Sequence, residues 1–158
     1  MAGLDQARFR EVLGHFATGI TIVTASEDEG PVGFSCQSFA ALSLDPPMVI
    51  LAPAKSSTSW PRIARAGAFC VNILSDAQED ICRAFAVSGG DKFVGVDWTP
   101  GVTGAPRITG SLAIVECTLG TIHDGGDHEL VTGHVVALET GEGSPLLFYR
   151  STFGHFVA

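Results

Sequence analysis

Apolar residues follow a helical spacing near the start of the chain. The intervals i, i+3, i+4 and i+7 are carried by Phe9, Val12, Leu13 and Phe16. This spacing predicts an amphipathic helix, with Asp5 as its N-cap and Gly19 at its end.

Two more helices are indicated by capping residues. One covers residues 58–66, with Thr58 or Ser59 as the cap and Pro61 in the first turn. The other begins at a capping box made by Ser75 and Gln78 and runs to residue 86.

Short runs of apolar and β-branched residues predict strands between these helices. The runs cover residues 20–24, 32–39, 48–52, 69–74, 111–123, 129–139 and 146–150. The glycine-containing residues 124–127 predict a hairpin, whereas Asp45-Pro46-Pro47 is expected to stop regular pairing.

The order of these elements bears on the fold class. Strands joined by hairpins, with helices inserted rather than alternating regularly, favour a mostly antiparallel barrel over a doubly wound sheet. No G-x-G-x-x-G follows the first strand, so a Rossmann nucleotide domain is not expected. We predict a mostly β protein with inserted helices, formed by one domain over residues 1–158.

Composition and charge limit the classes of function that the protein can have. The 158 residues are 46% hydrophobic and only 16% charged, which is typical of a folded domain. Acidic residues outnumber basic ones 17 to 9, and the formal charge of -8 disfavours nucleic acid as a partner. No apolar run approaches the roughly 18 residues that span a bilayer, and residues 1–10 lack signal-peptide order. We expect a soluble, cytoplasmic protein.

Familiar hydrolytic motifs are missing from the sequence. The cysteines form no CxxC pair, and we expect buried, reduced thiols at Cys36, Cys70, Cys82 and Cys117. There is no Gly-x-Ser-x-Gly elbow, and Glu116, in an apolar strand, has no partner for acid–base chemistry. These features indicate a domain whose chemistry is done by a bound cofactor.

The first segment that could carry chemistry covers residues 54–59, which hold Lys55 and four hydroxyl side chains directly before a predicted helix. Lys55 is one of only two lysines in an acidic chain. An ammonium group, hydroxyls and a helix start all favour an anion such as phosphate. A polar loop with an N-cap is the alternative.

The second segment runs from residue 33 to residue 47. Small and hydroxyl side chains on a strand leave its backbone N–H groups approachable, so a flat heteroaromatic ring could lie along them. A strand whose small residues pack under a neighbouring element is an equally good interpretation of the same pattern.

The third segment is the predicted turn around His128. Nearby histidines and acids suggest a metal site, but neither HxH nor HExxH spacing occurs, and we predict no metal. The remaining alternatives are a surface turn with incidental histidines and a His128 that faces a substrate.

Taken in order, these segments resemble the short-chain flavin reductases with the FMN-binding split-barrel fold. They are particularly similar to the reductase components of two-component flavin-dependent monooxygenases. The likeness runs from residue 9 to about residue 153 and rests on residues 16–24, 33–39, 43–47, 55–57, 69–74, 91–93, 126–128 and 147–150.

The resemblance implies an antiparallel split β-barrel, a homodimer, and a flavin, FMN or FAD, in a groove near the subunit interface. Lys55, Ser56 and Ser57 would hold the flavin phosphate. The residues implied along or around the ring are Gly33, Phe34, Ser35, Cys36, Gln37, Ser38, Ser43, Asn72 and Phe93. His128, with Tyr149 nearby, would face the nicotinamide nucleotide as a positioning residue rather than an acid or base.

The implied reaction is hydride transfer from NADH or NADPH to the flavin, followed by release of reduced flavin to a separate oxygenase. The seven arginines are scattered, whereas an adenosine 2′-phosphate would favour an arginine cluster, so NADH is the expected donor. The alternative is a split-barrel protein that stores or senses flavin without turnover.

Overall fold

The structure, a computed structural model, describes residues 3–158. The helices in this range are α1 (Gln6–Leu13), α2 (Trp60–Ala66) and α3 (Glu79–Ala86). The strands are β1 (Thr18–Gly19), β2 (Thr21–Glu27), β3 (Gly30–Cys36), β4 (Phe39–Leu44), β5 (Pro47–Leu51), β6 (Ala68–Ile73), β7 (Trp98–Pro100), β8 (Pro106–Ile108), β9 (Ala113–Gly125), β10 (His128–Thr140), β11 (Leu146–Tyr149) and β12 (Thr152–His155).

Seven strands form one antiparallel sheet in the order β3-β2-β6-β9-β10-β5-β4. In β2, Val23 lies opposite Phe34 of β3 on one side and Val71 of β6 on the other. β3 and β4 are the two edges, so the sheet stays open and does not close into a continuous barrel. The predicted mostly β, antiparallel class is confirmed.

The long hairpin of β9 and β10 was expected from its glycines. Gly126 has a φ of 80°, a left-handed conformation that glycine adopts without strain, and the turn pairs Gly125 with His128. The turn is therefore tighter than the four residues 124–127 suggested.

Two small sheets complete the structure. β1, β11 and β12 form a three-stranded sheet, and β7 pairs with β8. The prediction that Gly19 ends the first helix was wrong. Gly19 pairs with Leu147 in β1, and α1 ends earlier, at Gly14, whose N–H donates to the carbonyl of Arg10.

Two other local predictions need correction. Asp45-Pro46-Pro47 does not stop strand pairing but turns the chain from β4 into β5, with Leu44 opposite Pro47. At the start of α2, neither Thr58 nor Ser59 supplies the capping bond. The hydroxyl that accepts from the N–H of Trp60 is that of Ser57, at 3.1 Å. The capping box of Ser75 and Gln78 is confirmed.

The core lies on both faces of the large sheet. One cluster of buried residues packs α2 against the sheet through Trp60 and Ile63, a second packs α3 through Phe85, and a third, smaller one joins Cys70, Ala105 and Ile114. Because burying one such side chain stabilises the folded state by about 1.5–3 kcal/mol, these contacts fix both helices to the sheet. The apolar side of α1, by contrast, is exposed, with exposed fractions of 55% for Phe9, 49% for Val12, 53% for Leu13 and 78% for Phe16.

Glu116 of β9 is fully buried and holds the loop before β8. Its carboxylate accepts hydrogen bonds from the backbone N–H groups of Val102 and Thr103, both at 3.1 Å, and from the guanidinium of Arg107. Burial alone would raise the pKa of Glu116, but these hydrogen bonds, those of Arg107 foremost, outweigh it and hold that pKa below its usual value. Gly101 passes so close that a Cβ there would lie 2.1 Å from the carboxylate.

All four cysteines are buried and free, as expected. Burial raises the pKa of each thiol, to about 12 for Cys70 and Cys117. Across residues 3–158, no helix has the length and hydropathy needed to traverse a bilayer.

Candidate functional site

A groove of about 700 Å³ opens where the large sheet meets the three-stranded sheet. Its walls come from residues 16–21, 37–40 and 50–52, together with Ile73 and Leu130. These walls are largely apolar, and the volume lies in the range of about 300–1,000 Å³ that is usual for small-molecule sites.

Ser38 shapes one wall of this groove. The chain leaves β3, turns at Gln37 and Ser38, and enters β4. The Ser38 hydroxyl donates to the carbonyl of Ala52 at 2.9 Å, and the N–H of Ala52 donates back to the Ser38 carbonyl at 3.1 Å. The turn is thereby fixed to the end of β5, and both Gln37 and Ser38 line the groove as predicted for a ring-binding segment.

Thr18, on the opposite wall, carries an unsatisfied hydroxyl. Its Oγ1 is buried and has no hydrogen-bond partner within residues 3–158. A buried polar group without a partner destabilises a protein by about 1–3 kcal/mol, so such groups usually serve a ligand or a water molecule. Thr18 belongs to residues 16–24, on which the family resemblance rests, but its residue type gave no reason to predict it as a site residue.

The segment after Ala52 runs along the turn between β9 and β10. The N–H of Lys55 donates to the carbonyl of Asp127 at 2.9 Å, and the N–H of Glu129 donates to the carbonyl of Pro53 at 2.9 Å. Ala54 is bridged to His128. Lys55 and His128, predicted separately, are therefore brought together near the end of the groove marked by Ala52 and Leu130.

Charged side chains meet on this turn. The ammonium of Lys55 pairs with the carboxylate of Asp124, and Nδ1 of His128 lies 2.7 Å from Oδ1 of Asp127. The hydrogen bond and charge of Lys55 lower the pKa of Asp124, and those of His128 lower the pKa of Asp127. Asp124 and Asp127 are the acids near His128 that the sequence offered as possible metal ligands, and Asp127 also belongs to residues 126–128, on which the family resemblance rests.

The hydroxyls beside Lys55 have different roles. Ser56 is exposed, whereas the Ser57 hydroxyl caps Trp60, the first residue of α2. Because α2 has only seven residues, Lys55 and the exposed serine are the stronger attractions for an anion here.

The side chains of β3 alternate between two neighbours. Ser35 donates to the carbonyl of Cys82 on α3 at 2.7 Å, and a Cβ on Gly33 would lie 3.0 Å from Phe85. Phe34 and Cys36 pack on the other face. Since these side chains contact protein, β3 offers a ligand its edge backbone rather than its side chains.

Of the predicted site residues, Gln37 and Ser38 line this groove, and the others, including Asn72, Tyr149, Ser43 and Phe93, do not. The Asn72 side chain is fully buried, donates to Ile22 O at 3.0 Å and accepts from Ile108 N at 2.8 Å, so it is not available to a ligand. Tyr149 belongs to the three-stranded sheet, and its ring sits edge-on to that of His15. Ser43 lies opposite Met48 on the edge strand β4.

Phe93 lines a second, more polar groove of about 660 Å³, together with Gly33 and Lys92. The Lys92 ammonium donates to the carbonyls of Gly33 and Phe85, both at 3.2 Å, and burial lowers its pKa. These contacts fasten residues 91–93 to β3 and α3.

The first groove fits a flavin: apolar walls suit a flat ring, the Thr18 hydroxyl lacks a partner, and Lys55 lies near one end. Among residues 3–158, no three His, Cys, Asp or Glu side chains converge in a way that could hold a metal ion.

Comparisons with known proteins point the same way. The family model described as "Flavin reductase like domain" matches residues 13–156. Over 151 residues the chain is 52% identical to the reductase subunit of a flavin-dependent monooxygenase from Rhodococcus jostii, covering 95% of this chain and 77% of that protein.

Two solved structures are similar over nearly the whole chain. Nitrilotriacetate monooxygenase component B from Mycobacterium thermoresistibile superposes with a TM-score of 0.94 at 49% identity, covering 97% of this chain and 87% of that one. An NADH:FAD oxidoreductase from Streptomyces globisporus, in complex with NAD and FAD fragments, gives a TM-score of 0.92 at 34% identity, covering 99% and 98%.

Proposed function

The chain belongs to the flavin reductase-like family, and from that premise we propose that it oxidises NADH, reduces FMN or FAD, and supplies the reduced flavin to a separate oxygenase. The observation that carries the proposal is the apolar groove lined by Thr18 and Ser38, with Lys55 near one end. The resemblance to a monooxygenase reductase subunit supports an oxygenase as the recipient.

The groove binds the flavin ring in this proposal. When bound, the flavin supplies the redox chemistry, because its ring accepts a hydride from a reduced nicotinamide. The chain's part is to hold the ring between the wall at Thr18 and the wall at Gln37 and Ser38. No side-chain base is needed for hydride transfer, so alignment of two stacked rings provides most of the acceleration.

Lys55, Ser56 and Ser57 hold the flavin phosphate. The ammonium of Lys55 is 45% exposed on its side chain and provides a full positive charge, while Ser56 adds an exposed hydroxyl. A charge-assisted hydrogen bond is roughly twice as strong as a neutral one, so Lys55 contributes most of this attraction.

His128 orients the nicotinamide nucleotide. Its Nδ1–H donates to the carboxylate of Asp127, which fixes the ring plane and leaves Nε2 for the nucleotide. The bridge between Ala54 and His128 keeps this imidazole beside the phosphate-binding segment. His128 is thus a positioning residue.

NADH is the preferred donor in this proposal. Five of the seven arginines are paired with carboxylates, namely Arg8, Arg62, Arg65, Arg83 and Arg107. A 2′-phosphate is normally recognised by an arginine, and paired guanidinium groups are poorly placed for it. The similarity to an NADH:FAD oxidoreductase supports the same preference.

A second copy of the chain covers the exposed face of α1. Phe9, Leu13 and Phe16 are each more than half exposed, and Phe16 also lines the groove. A contiguous apolar face of this kind is characteristic of a subunit interface. A homodimer that buries it would place the groove beside the partner subunit.

The test is a spectrophotometric assay of purified protein with NADH and catalytic FMN or FAD under air. We expect steady loss of NADH absorbance that depends on both protein and flavin. Tight flavin binding without turnover would instead identify a flavin-storage or flavin-sensing protein. A second assay without oxygen should show reduced flavin accumulating in solution.

A further inference from the structure

Asp124 is the carboxylate that pairs with Lys55, although 69 residues separate them in the chain. Both side chains reach water, since Lys55 is 45% exposed and Asp124 is 79% exposed. An exposed ion pair of this kind opens readily and contributes little to stability.

The ion pair is not what holds the turn in place. The backbone bonds from Lys55 to Asp127 and from Glu129 to Pro53 already fasten the turn to the segment after β5. The bridge between Ala54 and His128 adds to them. The turn is therefore fixed without the Asp124 carboxylate, whose contact with Lys55 calls for another explanation.

A carboxylate and a phosphate are alternative partners for the same ammonium. The Lys55 ammonium is a compact charge with three donors, and an oxygen of Asp124 occupies one of them. A phosphate arriving at Lys55 must compete with this oxygen, and it also meets the repulsion of a second negative charge nearby.

We propose that Asp124 is an internal competitor for the flavin phosphate at Lys55 and that it weakens the binding of phosphorylated flavins. The proposal rests on the proposed function and concerns the regulation of that same site. Affinity differences between related complexes arise mostly in the dissociation rate, so the carboxylate speeds release of the flavin that an oxygenase must receive.

The experiment compares FMN with riboflavin, which has the same ring but no phosphate. We expect Asp124→Asn to tighten FMN binding about two- to fivefold, the scale of an exposed ion pair, and to leave riboflavin binding unchanged. Asp28→Asn removes the same charge from the exposed turn between β2 and β3 and should change neither affinity. Dissociation constants come from quenching of flavin fluorescence at low ionic strength.

Two further variants separate competition from other effects. Asp124→Glu keeps the charge and should retain the wild-type ratio of riboflavin to FMN dissociation constants. In a Lys55→Ala background, Asp124→Asn should change that ratio much less, because the shared partner is gone and only the direct repulsion between carboxylate and phosphate remains.

The outcomes of these titrations distinguish failure of the competition proposal from failure of the proposed function. Equal tightening of FMN and riboflavin, an unchanged FMN affinity, or FMN tightening that is as large without Lys55 as with it would overturn the proposal while leaving flavin binding intact. Wild-type protein that binds neither FMN nor riboflavin would instead overturn the proposed function itself.

Discussion

The indole nitrogen of Trp60 donates a hydrogen bond of 2.5 Å to the carboxylate of Glu129. Trp60 begins α2 and is only 3% exposed, whereas Glu129 follows His128 in β10. The bond therefore joins the start of the helix to the start of the strand. Lys55 and His128 lie on the two joined segments, so this bond helps to hold the groups that we propose for phosphate binding and nucleotide positioning next to each other.

Lys55→Ala should weaken FMN binding by about 1.5–3 kcal/mol, the scale of a hydrogen bond to a charged group, with a larger effect at low salt. Riboflavin binding should stay the same because riboflavin has no phosphate. Calorimetric titration with both flavins measures the difference. Equal FMN affinities in the wild-type and variant proteins would refute the phosphate assignment.

His128→Ala should raise the apparent KM for NADH about fivefold, as expected for loss of one hydrogen bond, and leave the flavin dissociation constant nearly unchanged. Steady-state kinetics with varied NADH measures this. His123→Ala is the matched control, since His123 lies on the same hairpin and contacts Thr121. Loss of flavin affinity equal to the loss of NADH affinity would contradict the positioning role.

Thr18→Val removes a buried hydroxyl that has no hydrogen-bond partner in the part of the chain that the structure describes. We expect the free protein to gain up to about 1 kcal/mol in unfolding free energy, because a desolvated polar group is lost, while flavin binding weakens by about 0.5–1.5 kcal/mol. Urea unfolding and flavin titration measure the two effects, with Thr18→Ser as the variant that keeps the hydroxyl. An unchanged flavin affinity would show that the hydroxyl does not contact the ligand.

Glu116→Gln should lower the unfolding free energy by about 3 kcal/mol at pH 7, because it breaks a buried ion pair. The folded state holds the pKa of Glu116 below its unfolded value, so the charged form stabilises the fold above about pH 4.5. This contribution disappears as the pH falls through the lowered pKa.

The stability difference between the wild type and Glu116→Gln should therefore be constant from pH 7 to about pH 5 and shrink in more acidic solution. Urea unfolding at several pH values checks this. Glu139→Gln is the control, since Glu139 also pairs with Arg107 but its side chain is 63% exposed, and it should change stability by no more than about 1 kcal/mol. A constant gap down to pH 3 would contradict the lowered pKa.

Phe9→Glu should convert the proposed dimer into monomers, because it places a charge in the apolar face of α1. Sedimentation equilibrium measures the change in mass. Arg10→Ala, an exposed position on the same helix, should leave the dimer intact. A wild-type protein that is already monomeric at micromolar concentration would remove the second copy from the proposal.

Local turn chemistry decided which strands were predictable. The hairpin at Gly126 was expected because glycine adopts a positive φ easily. The hairpin between β11 and β12 was missed because its turn uses Arg150 and Ser151, whose φ values of 48° and 64° have no glycine signal. Gly19 was misread because a glycine after a helical period looks like a helix stop, whereas pairing with Leu147 depends on a distant strand.

The groove residues were also predictable only where local sequence, rather than contact between distant segments, indicated their role. The sequence predicted Gln37, Ser38, Lys55 and His128 as site residues, because their residue types and their neighbours in the chain indicate ligand binding. Thr18 and Asp124 could not be predicted in these roles, because the burial of the Thr18 hydroxyl and the pairing of Asp124 with Lys55 arise only in the folded chain. The burial of Asn72 was likewise invisible, since its partners Ile22 and Ile108 lie far from it in sequence.

The burial of the four cysteines affects their resistance to oxidation during turnover. Reduced flavin that escapes into aerated solution reacts with dioxygen and generates peroxide, which oxidises thiolates rather than thiols. Burial raises the pKa of Cys70 and Cys117 to about 12, so both remain thiols at neutral pH. The buried cysteines of this protein are therefore held as thiols, the form that peroxide from escaped reduced flavin oxidises slowly.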